Sequence, residues 1–366
     1  MDNAGGCSAF LYWGWTTWHP DDLAEEHFRL VGKKTERKTL FPPRTPKRVQ
    51  NAHKSIIPIY DFLARYERWI AAGGEKICDF ALGNPQAMPL EGFVTALRNA
   101  TTPKSPSWYA YKMSEASSRE IVRASLKNLT GFEYPAENIF MTNGATGALL
   151  VVMNALIGPG DEVIFNSPPW FFYEGMILNS GGKPVPVNVN SETFDLDVEG
   201  IERAITGNTR FIIINSPNNP TGKVYGPETL ANLGRMLEAS SRAVGRPIYL
   251  LSDEAYRTVV YDGIPFHSPT TFYKNSIMVY TYGKTLLTPG QRIGYIALSP
   301  EMEDLADLRT IMLSSQILSG WAMTSALMQH CLPELEKLSV DVNALQRRRD
   351  RFVQRPARMR IRSAFP

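Results

Sequence analysis

The sequence is poor in cysteine: only Cys7, Cys78 and Cys331 occur in 366 residues, spread over the whole length. A disulfide-stapled scaffold is therefore excluded, and with no C-x-x-C pair a finger-type structural zinc site has no ligand set. Isolated thiols of this kind behave as small core hydrophobes. Long hydrophobic runs are also missing; none approaches the ~18 residues needed to cross a bilayer as a helix. Charge of one sign is scarce, because the net charge is only +3. Eight Arg and one Asp fall within residues 347–366, so the basic excess belongs to the tail and the rest of the chain is slightly acidic. A nucleic-acid binder needs a clustered basic face on a fold, and this distribution argues against one. The beginning, Met1-Asp2, has no positive n-region, so no secretory signal is expected and the cytoplasm is the expected location. No internal repeat is visible. What is present is ordinary globular usage: 43% hydrophobic and 20% charged residues, which excludes disorder of the whole chain.

Along the chain, residues 1–54 read as an N-terminal extension with poor order. Trp13, Trp15 and Trp18 lie among glycines there, followed by a basic stretch and Pro42-Pro43. The alternative reading gives these tryptophans a membrane-surface or partner-docking role. From about residue 55 the pattern becomes regular. Ile59, Phe62, Leu63, Tyr66 and Ile70 follow helical spacing up to Gly73-Gly74. Short apolar runs then alternate with helical stretches. Strands are predicted over 138–142, 162–165, 210–214, 247–251 and 276–281, and helices over 147–156 and 227–243. The strands lack clear period-2 alternation, the mark of strands buried on both faces. The fold class is therefore α/β: a mostly parallel central sheet with helices on both faces. In such sheets ligands gather at the carboxyl ends of the strands, so the residues after each run are the candidates for chemistry.

After the 210–214 run comes Asn215-Ser216-Pro217-Asn218-Asn219-Pro220-Thr221-Gly222. Its prolines and glycine force a turn, and Asn219 places an amide at a strand end. After the next run comes Ser252-Asp253-Glu254-Ala255-Tyr256; an acid there is a helix cap, a surface acid or a functional carboxylate. The 276–281 run leads into Thr281-Tyr282-Gly283-Lys284, and Arg292 follows inside Gly290-Gln291-Arg292-Ile293-Gly294-Tyr295. Two cations flanked by glycines suit a pocket that holds a phosphate. The first run opens into Asn143-Gly144-Ala145-Thr146-Gly147, small residues that let an anion approach a helix N-terminus or let the helix pack closely on the sheet.

Taken together and in this order, these motifs resemble the class I/II aminotransferases, the fold type I enzymes that use pyridoxal 5′-phosphate. The resemblance runs from about Ile57 to about Val353 and rests on four motifs in family order and spacing. It implies that Lys284 forms a Schiff base with the cofactor aldehyde and later moves a proton, and that Asp253 pairs with the ring nitrogen. It implies that Asn219 and Tyr256 bond the ring oxygen and that Trp170 stacks on the ring. Gly144, Ala145, Thr146, Thr281 and Arg292 are implied to hold the phosphate. Tyr109 is implied to reach the phosphate of a neighbouring subunit, which makes a homodimer the expected assembly. Gly83, in Ala81-Leu82-Gly83-Asn84-Pro85, and Asn219 are implied to lie near the substrate. No metal is implied. The domains follow: an arm and small-domain part over 55–105, a large cofactor-binding domain over 106–330, and the start of a small domain over 331–366.

The implied activity is transfer of an amino group between an amino acid and a 2-oxo acid. Two alternatives stand beside it: a lyase or synthase step on the same cofactor and fold, and a truncated paralogue without catalysis. Two departures from the family stand out, the first bearing on the role of Tyr109 and the second motivating the truncated paralogue. Ser114 and Ser118 stand where the family has glycine and leucine after the tyrosine. The tail Arg355-Pro356-Ala357-Arg358-Met359-Arg360-Ile361-Arg362 replaces the continuation that supplies the family's carboxylate-clamping arginine, so the small domain is expected to be incomplete. Tyr60, Phe62, Trp108 and Phe172 are candidates to line an apolar or aromatic pocket.

Overall fold

In a computed structural model, the structure describes residues 45–73, 83–85 and 87–354. The tryptophan-rich start, Cys7, Cys78 and Arg355, Arg358, Arg360 and Arg362 of the tail lie outside the described residues. The chain divides into two compact units, Met1–Gln86 and Ala87–Pro366. The described part of the first unit is dominated by α1 (Lys47–Gly73), which buries none of its residues and carries Pro58 inside. The helical spacing from Ile59 to Ile70 lies within it.

The second unit is built on a seven-stranded sheet. Its strands are β1 (Ile139–Thr142), β2 (Glu162–Ser167), β3 (Lys183–Asn188), β4 (Thr209–Asn215), β5 (Tyr249–Asp253), β6 (Ser276–Thr281) and β7 (Gly294–Leu298). The spatial order is β1-β7-β6-β5-β4-β2-β3. Neighbours from β3 to β6 pair in parallel, while β7 runs antiparallel to both β6 and β1. The mostly parallel sheet expected from the sequence is therefore present. Strand β3, Lys-Pro-Val-Pro-Val-Asn, is absent from the sequence reading for a physical reason: proline cannot donate to a ladder, and a strand with two of them is tolerated only at an edge. It occupies that edge here.

The helices of this unit are α2 (Glu91–Ala100), α3 (Ala116–Thr130), α4 (Gly144–Leu156), α5 (Tyr173–Asn179), α6 (Val198–Ala204), α7 (Pro227–Val244), α8 (Tyr282–Thr285), α9 (Leu305–Leu318), α10 (Ala326–Leu335) and α11 (Val342–Gln354). They cover both faces. Phe211 and Ile213 of β4 join α4 and α9 in one core, while Ile212 and Ile214 join α7 in another. This is the period of two expected of a strand with both faces buried. A third cluster packs α2, α3 and α10 against Met141, Met278, Tyr280 and Tyr295. Cys331 is a buried free thiol in that cluster. The two serines that depart from the family are absorbed by packing. Ser114 Oγ accepts from the Met141 amide at 2.9 Å, and buried Ser118 Oγ donates to the Gln329 carbonyl at 3.3 Å.

Candidate active site

The carboxyl ends of β4, β5 and β6 and the start of α4 converge on one cleft of about 130 Å³. Ala145, Thr146, Trp170, Asn219, Asp253, Tyr256, Thr281, Lys284 and Arg292 all line it. Residues more than a hundred positions apart in sequence thus meet at the strand ends. Gly144 stands at the first position of α4, directly before Ala145. Its φ is +78°, and a Cβ there would lie 2.5 Å from Arg292 Nη2. Only glycine allows the helix start and the guanidinium to come this close. The backbone N–H groups of the first turn, which have no intrahelical partner, open beside that cation.

Asp253 ends β5 and is only 5% exposed. Tyr173 donates to its Oδ2 at 2.6 Å, and the Ala255 amide donates to Oδ1 at 3.1 Å. Burial pushes its pKa above the ordinary carboxylate value; the Tyr173 bond, the Ala255 amide and the charge of Lys284 oppose that rise. Asn215 holds the strand end in place by donating to the Asp253 carbonyl at 2.9 Å. Its Oδ1 accepts from the Asn219 amide at 2.7 Å, which fixes the turn that carries Asn219.

Lys284 sits in α8, a single turn that follows β6 directly and is capped by Thr281, whose side chain accepts from the Gly283 amide. Burial, then the charge of Arg292, lowers the lysine pKa; Asp253 pulls the other way. The amine lies 5.5 Å from the centroid of the Tyr256 ring. Tyr256 Oη accepts from Asn219 Nδ2 at 3.2 Å, which leaves the phenol proton free to be donated into the cleft. Burial and the nearby Asp253 raise the Tyr256 pKa, so the phenol keeps that proton. Arg292 donates to the Pro289 carbonyl and stays partly open to solvent, and burial of the rest lowers its pKa. Trp170 stands nearly perpendicular to Phe172 and to Tyr173, with centroids at 5.2 and 5.4 Å.

The arrangement can hold a planar, anionic ligand. Arg292 lies beside a helix start, Lys284 feels the charge of both Arg292 and the buried Asp253 carboxylate, and an indole is part of the lining. A primary amine with a lowered pKa supplies a nucleophile and a proton carrier.

Among the expected residues of the second unit, Trp108 and Phe172 do not line this cleft, and neither does Tyr109, which is expected to act in a neighbouring subunit. Tyr109 is 57% exposed, donates to the Thr101 carbonyl, and is not among the lining residues. Gly83 belongs to the first unit and is exposed. Trp108, a candidate for an apolar pocket, instead stacks on His330 at 3.6 Å and donates to the Ala100 carbonyl. Tyr60 and Phe62 are in the first unit, and Phe172 packs on Trp170 rather than lining the cleft. Sequence reasoning also missed Tyr173 and Asn215. Asn215 stood at a strand end and was legible in principle. Tyr173 sits in an aromatic run, Trp170-Phe171-Phe172-Tyr173, where nothing local distinguishes the one hydroxyl that reaches Asp253.

Among the described residues no helix is long and apolar enough to cross a membrane, and no group of His, Cys, Asp and Glu could hold a metal ion.

Known proteins resemble this chain in both sequence and fold. A probable aspartate/prephenate aminotransferase of Thermus aquaticus is 33% identical over 253 residues, 68% of this chain and 64% of that protein. A probable aspartate/prephenate aminotransferase of Aquifex aeolicus is 31% identical over 78% of this chain and 72% of its own length. The crystal structure of an aminotransferase from Eubacterium rectale superposes with a TM-score of 0.77 at 29% identity, covering 91% of this chain and 80% of that one. The match to the family described as aminotransferase class I and II runs over residues 79–361 and takes in every motif that meets in the cleft, so the chain belongs to the class I and II aminotransferases.

Proposed function

We propose that the protein transfers an amino group between an amino acid and a 2-oxo acid, using pyridoxal 5′-phosphate bound in the cleft. The observation that carries this reading is the meeting of Lys284, Asp253 and Arg292 in one cleft at the strand ends. The residues fit the group. The glycine cradle at Gly144, which a Cβ would close, and the adjacent Arg292 suit a phosphate. Asp253 is a buried carboxylate suited to a protonated ring nitrogen, Tyr256 has a phenol proton to give to a ring oxygen, and Trp170 offers an aromatic wall. When bound, pyridoxal 5′-phosphate supplies an aldehyde for the amine and a ring that withdraws electrons from the substrate Cα.

The chain's own residues do the rest. Lys284, with its lowered pKa, reaches its neutral form at a lower pH than an ordinary lysine, so it can attack a carbonyl carbon and carry a proton to and from Cα. Tyr173 and the Ala255 amide hold the Asp253 carboxylate in one orientation and favour its charged form. Asn219 fixes the Tyr256 phenol. The cleft carries Lys284, Arg292 and Asp253, a balance that favours an anionic ligand.

We place Tyr109 in the cleft of a second subunit, which makes the working form a homodimer. Its exposure away from its own cleft supports this, as does the apolar surface that α9 leaves open at Ile317 and at Leu318, 86% exposed. Sedimentation should give twice the chain mass; a monomer with full activity would contradict the assembly. Gly83 is proposed to face the substrate. Aspartate is the first donor to test, because two of the relatives are named for it.

The deciding experiment follows the labelled nitrogen of an amino donor. The protein, loaded with pyridoxal phosphate, should deliver the label to a 2-oxo acid and leave the donor as its own oxo acid. Release of an oxo acid and ammonia with no acceptor present would favour elimination instead. Turnover far below about 1 s⁻¹ with every donor would favour a non-catalytic paralogue.

A further inference from the structure

Behind the cleft the same two segments carry a second, fully buried set of side chains. Asp253 and Tyr256 face the cleft, while Glu254 and Arg257 do not line it and are 0% and 8% exposed. Thr281 and Lys284 likewise face the cleft, while Tyr280, Tyr282 and Thr285 are buried.

The buried set is continuous. Arg257 Nη2 donates to Tyr295 Oη at 2.7 Å, and its guanidinium lies 3.8 Å from the centroid of the Tyr280 ring. Its Nη1 is 3.5 Å from Glu254 Oε2, an oxygen with no hydrogen bond, while Oε1 accepts from Ser252 at 3.0 Å and Ser268 at 2.6 Å. Tyr280 Oη bonds Thr285 Oγ1 at 2.7 Å, and Thr285 Oγ1 bonds Thr258 Oγ1 at 2.7 Å. Arg257 thus spans from the turn after β5 to β6 and β7. Thr285, the neighbour of Lys284, is tied back to the residue after Arg257.

A buried ion pair is a poor source of net stability, because apolar packing of the same volume does as well or better. What such a pair does supply is a fixed geometry, since a planar guanidinium accepts few arrangements of its partners. We propose that Arg257 is a positioning residue: it locks the turn bearing Asp253 and Tyr256 to the strand end bearing Lys284, and so sets the spacing of the groups that hold the cofactor. This rests on the reading of Asp253 and Lys284 given above.

The test uses the full chain with pyridoxal phosphate and three variants, Arg257→Met, Arg257→Lys and Tyr295→Phe. Three quantities are read: the cofactor dissociation constant from visible absorbance, the pH midpoint of that absorbance, and the melting temperature. Arg257→Met should weaken cofactor binding by about tenfold to a hundredfold, the range seen when outer partners around a bound metal are removed. It should also move the pH midpoint by about half a unit or more. Arg257→Lys should fall between it and wild type, because an ammonium cannot span the same partners. Tyr295→Phe should shift both readouts in the same direction by less. If Arg257→Met does not fold, the other two variants decide by the same readouts. A folded variant set with wild-type affinity and midpoint overturns the proposal, whatever happens to the melting temperature. Wild-type protein that fails to take the cofactor at Lys284 overturns the site reading and this proposal together.

Discussion

The two ends of the central sheet hold their carboxylates in opposite ways. At the amino ends, Arg210 pairs with Asp161 at 3.0 Å, and Asp161 also accepts from the Gly158 amide at 2.7 Å. The pair lies beside an open surface depression of about 500 Å³ lined by Asp304 and Asp307; Arg210 Nε has no hydrogen-bond partner there, and burial and then the charge of Arg210 lower the pKa of Arg246. At the carboxyl ends, Asp253 takes its hydrogen bonds from a phenol and an amide, not from a cation. Lys284 is held near Arg292, a like charge, and both have lowered pKa values. A buried carboxylate with no cation bonded to it, beside a half-buried amine of lowered pKa, marks the end where a ligand completes the balance. A carboxylate paired with a cation, as Asp161 is with Arg210, marks the end that holds the fold.

This contrast can be broken in order of size. Lys284→Ala should reduce transfer activity by more than about 10⁴-fold, since it removes both the nucleophile and the proton carrier. Steady-state rates with a good donor would measure it, and a loss of only a few-fold would contradict the role. Asp253→Asn should lower activity by about 10²–10⁴-fold. Its effect on the cofactor-free protein should have the opposite sign. Burial raises the Asp253 pKa above 3.8, so its charge costs stability above the folded-state pKa and nothing below both pKa values. The variant should therefore melt higher than wild type near pH 7 and at the same temperature near pH 3. An unchanged melting temperature at both pH values would mean that the carboxylate is not strained.

Tyr173→Phe removes one charge-assisted bond, worth about 1.5–3 kcal/mol. The Asp253 pKa should rise further, and cofactor affinity should fall by about tenfold to a hundredfold, read by absorbance titration. Arg292→Gln removes the second cause of the lowered Lys284 pKa. The pH at which Lys284 becomes half-reactive toward an amine reagent should move up towards its ordinary 10.5. No upward shift would remove Arg292 from the electrostatics. The smallest effect belongs to the amino end. Arg210→Ala should cost at most about 1 kcal/mol, because the pair is partly exposed, and should leave turnover unchanged. A large loss of activity there would erase the distinction between the two ends.

Much of this was legible in the sequence because the signals are local. Each of the buried runs that became β1, β2, β4, β5 and β6 is an uninterrupted apolar stretch, and a residue of the cleft follows each of β4, β5 and β6 within a few positions. Asp253, Lys284 and Arg292 were readable because their motifs stand together in the order and spacing of the family that the sequence resembles. What could not be read depends on contacts between distant segments. Tyr173 reaches Asp253 across 80 positions, and Arg257 reaches Tyr295 across 38. Strand β3 was hidden by its prolines, and β7 by the motif that occupies its start. Trp108 looked like a pocket wall, but its partner His330 lies 222 positions away and no spacing announces it.

The central claim is that Lys284 is the one amine held next to Asp253 for covalent attachment of an aldehyde coenzyme. Incubation with pyridoxal phosphate, reduction with borohydride and peptide mass mapping test it directly. The account predicts one added phosphopyridoxyl group per chain, on Lys284, at cofactor concentrations that leave surface lysines unlabelled. A label spread over surface lysines, or its persistence at equal yield in Lys284→Ala, would contradict it.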